Sequence, residues 1–140
     1  MELMYLLDYG QGSPIERQSH SFAVGDGSFV REIAPARTFA LMRDVAPLQE
    51  RGLALGGSLE NAIVIGDEGI LNDDLRFPDE IVRHKVLDVL GDLTLLGRPL
   101  KGHIIAVRSG HATNVRFVRM IQEELQMTST KHPVAGIDLV

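Results

Sequence analysis

Along the chain, apolar residues fall in short runs or at alternate positions, except in a few stretches where they recur at helical spacing. Residues 4–8 read as a first strand and 21–24 as a second, separated by a loop whose Gly10, Gly12 and Pro14 carry turn chemistry. Residues 28–36 place Phe29, Ile33 and Ala36 on one helical face, with Pro35 weakening the end. Residues 37–42 read as a short strand, and 45–51, with Pro47 inside and Gly52 after it, as a short helix. The run Ala62-Ile63-Val64-Ile65 then returns in extended form, so residues 41–64 make a small β-α-β excursion. Gly66-Asp67-Glu68-Gly69 between apolar flanks is hairpin chemistry.

The longest element is a helix predicted from Pro78, whose fixed φ suits a first helical position, to about Leu96, stopped by Gly97. Asp79 and Glu80 follow where the helix dipole favours acids. Residues 101–107 read as a buried strand with Ile104, Ile105 and Val107 inside, and Ser109-Gly110 as a turn. Residues 111–125 read as a final amphipathic helix with Val115, Val118, Ile121 and Leu125 inward. Strands and helices intermixed in this order predict one α+β domain over residues 1–127 and a weakly patterned tail over 128–140.

A chain of 140 residues is the size of one domain, able to remove roughly 65–70 % of its unfolded surface from water. With 44 % hydrophobic and 24 % charged residues it lies far from the composition of disorder. No stretch approaches the roughly 18–20 apolar residues of a membrane span, and the N-terminus has no basic n-region, so a cytoplasmic location without a membrane span is expected. The absence of cysteine excludes disulfides and thiolate ligands and leaves His, Asp and Glu to hold any metal. A net charge of −5 argues against nucleic acid as a partner.

On the long helix, Ile81, Val82, Val86, Leu87, Val89, Leu90 and Leu93 leave a polar stripe at His84, Asp88 and Asp92, successive members one turn apart. An imidazole and a carboxylate presented this way can reach one zinc ion at about 2.0–2.2 Å. The same spacing serves an ordinary exposed ion pair worth a few tenths of a kcal/mol, so spacing alone leaves both readings open. Asp92 extends the stripe on a helix otherwise apolar on most sides, which favours chemistry. Ser109-Gly110-His111 puts a histidine at a strand end, on a turn eased by glycine, where catalytic side chains are often presented. A histidine that begins a helix and bonds a nearby carboxylate fits that segment as well. His20, His103 and His132 receive no role.

Six segments occur in one order: Arg37-Thr38-Phe39, Gly56-Gly57-Ser58, Leu75-Arg76-Phe77, His84-Lys85-x-x-Asp88, Gly91-Asp92-Leu93 and Ser109-Gly110-His111. In this combination the chain resembles the UDP-3-O-acyl-N-acetylglucosamine deacetylases, zinc enzymes of lipid A biosynthesis, from about Tyr5 to Asn114. The resemblance is to the second of that family's two domains only. It implies a two-layer sandwich of a mixed β-sheet with helices, plus a small insert over about 41–64 that forms an acyl-chain passage. The first domain supplies a His-x-x-Glu-His-type segment with the third zinc ligand and the glutamate general base, and no such segment occurs here.

By this resemblance His84 and Asp88 are Zn2+ ligands, His111 stabilises the oxyanion and protonates the leaving amine, and Asp92 orients it. Thr38 stands near the oxyanion, Phe39 packs on substrate, Lys85 meets the nucleotide diphosphate, and Met42, Val45 and Ala54 line the passage. Ala40 replaces the glycine usual after Phe39, and Leu41 a common aromatic. The implied substrate is UDP-3-O-(3-hydroxyacyl)-N-acetylglucosamine, and the implied protein partner is the missing N-terminal domain. A chain with half of the site is expected to be inactive alone; the competing readings are a non-catalytic single-domain binding module and a site completed by self-association.

Overall fold

The computed structural model describes residues 1–131; the remainder of the predicted tail lies outside the described residues. Among the described residues, two small mixed sheets and two of the three α-helices share one core, the α+β arrangement expected, with the single mixed sheet resolved into two of three strands each. β1 (Glu2–Leu7) is the centre of the first sheet, antiparallel to β2 (Gln18–Ala23) and parallel to β6 (His103–Val107). In the second, β4 (Ala62–Gly66) is central, parallel to β3 (Thr38–Leu41) and antiparallel to the two-residue β5 (Gly69–Ile70). Gly66 pairs with Gly69, so Asp67 and Glu68 form the predicted tight hairpin. α1 (Met42–Glu50) connects β3 to β4, which makes the expected β-α-β excursion.

α2 (Glu80–Leu93) crosses the core with Ile81, Val82, Val86, Val89 and Leu93 buried in one cluster with Leu3, Tyr5 and Leu7 of β1 and Ile63 and Ile65 of β4. α3 (His111–Lys131) packs on its flank through Val118 and, half-buried, Ile121. Alternation along β1 follows the sheet pleat: Leu3, Tyr5 and Leu7 face inward while the intervening residues face out.

Several local expectations are corrected. Residues 28–36 form only one π-helical turn, Phe29–Ile33, closed by the Ala34 amide donating to the Phe29 carbonyl, and Phe29 is exposed. Helix α2 begins at Glu80 rather than Pro78, because Asp79 keeps a non-helical φ of −111° and its carboxylate is taken by His20 and Arg83. Its far end tightens into a 3₁₀ turn, Thr94–Leu96, stopped by Gly97 at φ 71°. Strand β6 hides Ala106 but leaves Ile105 and Val107 more than half exposed, because it is an edge strand with only one face covered. On α3, which continues to Lys131, Leu125 is exposed and Asn114 is buried.

Candidate active site

The polar stripe of α2 meets the start of α3 at one edge of the core. His111 Nδ1 lies 2.9 and 3.1 Å from the two Asp92 oxygens, and Asn114 Nδ2 donates to Asp92 at 2.8 Å. A carboxylate only accepts, so the His111 proton sits on Nδ1 and Nε2 faces outward. Nε2 stands 3.8 Å from Asp88 Oδ1, and the imidazole is 69 % exposed, open to a ligand.

The segment between β6 and α3 is pinned from below: the Arg108 amide donates to the Leu6 carbonyl, and the Tyr5 hydroxyl to that of Ser109. The left-handed residue of this turn is Arg108, at φ 51°, and not Gly110. A side-chain-bearing residue there costs about 1–2 kcal/mol, offset by the contacts that hold the turn.

His84 Nδ1 meets the Ala36 carbonyl at 3.2 Å, and since a carbonyl cannot donate, that nitrogen carries the proton. Its Nε2 then points at Asp88 Oδ1, 3.3 Å away. The other Asp88 oxygen accepts from Lys85 Nζ at 2.6 Å. Burial depresses the Lys85 ammonium, but the bond to Asp88 and its charge more than offset this and hold the lysine above its ordinary pKa. Phe39 sits edge-on to the His84 ring at 6.2 Å, and Tyr9 edge-on to Phe39 at the same distance. Burial, with Lys85 opposing it, raises the Tyr9 phenol.

Two zinc ligands at 2.0–2.1 Å on a tetrahedral ion stand about 3.3 Å apart, the separation of His84 Nε2 and Asp88 Oδ1. The donor set therefore fits two corners of such a site. Among the described residues no group of three or more His, Cys, Asp or Glu side chains is placed to hold a metal ion by itself.

His84, Lys85, Asp88, Asp92, His111 and Phe39 are thus brought together. Thr38 is exposed at the start of β3, beside Phe39 but without a side-chain bond to the cluster among the described residues. A cavity of about 260 Å³ next to Phe39 is lined by Tyr9, Ile15, Ala40, Leu41, Asp44 and Leu48. Met42 and Ala54 are exposed and Val45 is half-buried, and this cavity is not lined by any of the three. Sequence reasoning missed Asn114 and the Ala36 carbonyl. Asn114, one turn after His111, carried a signal in its spacing; a backbone carbonyl carries none.

The family model described as UDP-3-O-acyl N-acetylglycosamine deacetylase matches residues 1–123. The chain belongs to that family. Proteins named UDP-3-O-acyl-N-acetylglucosamine deacetylase match it from Chlamydia felis, 52 % identical over 90 % of the chain, and from Myxococcus xanthus, 54 % identical over 79 %. The one from Leptospira biflexa is 44 % identical over 89 %. The matches cover 45, 35 and 41 % of those deacetylases' own lengths, so the chain spans less than half of the curated relatives, consistent with one domain of two. No helix among the described residues is long and apolar enough to cross a membrane.

Proposed function

We propose that the chain is the second-domain half of a cytoplasmic zinc-dependent deacetylase that removes acetate from the 2-amino group of UDP-3-O-(3-hydroxyacyl)-N-acetylglucosamine. Family membership supports the chemistry, and the convergence of His84, Asp88, Asp92 and His111 at one edge of the fold carries the assignment of roles. His84 and Asp88 would hold the zinc, which when bound supplies Lewis acidity toward the amide carbonyl.

His111 acts beside them. Asp92 holds its Nδ1–H, so an imidazolium presents Nε2–H to the developing oxyanion and then to the departing amine. Lys85, already bonded to Asp88, meets a substrate phosphate only by sharing its remaining protons. Phe39 gives the sugar and acyl chain an apolar wall, continued by the cavity over Leu41 and Leu48. The glutamate base and third ligand come from the family's other domain, so this chain alone should not turn over.

Zinc titration and a deacetylation assay test the reading. The expected result is weak zinc binding, lost in His84→Ala and in Asp88→Ala, with no turnover. Nanomolar affinity in the isolated chain, or chelator-sensitive turnover that survives chromatography, overturns the half-site and points to completion by a second copy.

A further inference from the structure

We propose that Glu80 and Arg37 are positioning residues for His84: this buried pair holds the Ala36 carbonyl where it keeps the imidazole proton on Nδ1 and leaves Nε2 open toward Asp88. The consequence for metal binding rests on the reading of His84 as a ligand; the geometry does not.

Glu80 has no exposed side-chain surface, and both of its oxygens are fully used. Oε1 accepts the backbone amide and Nε of Arg37, each at 2.9 Å; Oε2 accepts Arg37 Nη2 at 3.0 Å and the Arg76 amide at 2.6 Å. The Arg37 guanidinium also donates to the Leu59 and Asp74 carbonyls, at 3.0 and 2.9 Å. On the other side, Arg76 Nη1 donates to the Pro35 carbonyl at 2.7 Å. Pro35 and Arg37 are therefore both tied down, and Ala36 between them has little freedom. Glu80 and His84 lie one turn apart on α2, so the strap of residues 35–37 and the imidazole share one rigid frame.

The chemical need for such a strap lies in the competition for the imidazole proton. A neutral His84 3.3 Å from the Asp88 carboxylate is drawn to place its proton on Nε2, which would occupy the lone pair a metal requires. A carbonyl fixed at Nδ1 opposes that choice. Ligand histidines are commonly oriented by such a partner on the far nitrogen. A buried ion pair adds little to stability over apolar residues of the same volume, and setting geometry is its better-attested use. Glu80 is kept ionised here: burial raises its carboxyl, but the Arg37 side chain and the two amides pull it below its usual range.

Long-range proton–nitrogen correlation spectra of the metal-free chain, with ¹⁵N-histidine and at about pH 8 where imidazoles are neutral, report the tautomer directly. Zinc titration followed on the same His84 signals reports affinity. The wild type should show His84 as the Nδ1–H form. Glu80→Gln, and the double variant Arg37→Met with Glu80→Gln that leaves no buried charge unpaired, should show a mixture of forms and about 10- to 100-fold weaker zinc binding with the fold retained. An Nε2–H wild type, or variants that keep both tautomer and affinity, overturns the proposal. Zinc that leaves the wild-type His84 signals unmoved would instead overturn the metal reading, with the tautomer comparison still decisive. Where Glu80 variants do not fold, the wild-type tautomer and Arg37→Lys, which keeps the charges but not the fork, decide in the same way.

Discussion

Two ionic clusters sit on one face of α2, and they differ in how completely their polar groups are spent. At the start of the helix, Glu80 is wholly buried and both oxygens are saturated by Arg37 and two amides. Two turns later, Asp88 has one oxygen on Lys85 and the other facing two imidazole nitrogens at 3.3 and 3.8 Å, beside a largely exposed His111. A saturated cluster can only hold its surroundings. An unsaturated one keeps lone pairs and an open side for a ligand, so satisfaction rather than charge separates the framework from the site.

The comparison is broken most directly by Glu80→Ala, which strands the Arg37 guanidinium in the core and should cost about 3–5 kcal/mol in urea unfolding. A loss below about 1 kcal/mol, the scale of an exposed pair, would mean that the first cluster is no framework. Acid should expose the same difference. The folded Glu80 carboxyl titrates below its ordinary 4.5, so its contribution is complete above that pH and drains away as pH falls through the depressed value. Asp79, whose burial is outweighed by Arg83 and His20, is lowered from 3.8 and adds loss of the same sign. Unfolding followed from pH 7 downward should therefore steepen below pH 4.5, and the slope should lessen in Glu80→Gln.

Smaller effects belong to the open cluster. Asp88→Asn removes the charge from Lys85, whose side chain is 11 % exposed, and should cost roughly 1–3 kcal/mol in thermal unfolding while removing the proposed ligand. His111→Ala should shift stability by no more than about 0.5 kcal/mol, since the ring is 69 % exposed, while deleting the proposed proton donor. A large stability loss in that variant would move His111 from the site to the framework.

Residues close together on one element were legible. Four-residue spacing on a helix fixes which side chains are neighbours whatever the tertiary fold, so His84, Asp88 and Asp92 were found as a stripe. Glu80, one turn earlier on the same stripe, was read only as a first-turn acid, because its partner Arg37 lies 43 residues away. The run Ile104 to Val107 looked buried throughout, yet whether a strand is covered on both faces depends on what packs beside it. Local spacing thus determined most of the elements and the His84, Asp88 and Asp92 stripe, and the ordered motifs the family resemblance. Only the tertiary structure decided which carbonyl meets His84, which carboxylate is saturated and which strand lies at the edge, because each depends on contacts between segments far apart in the chain.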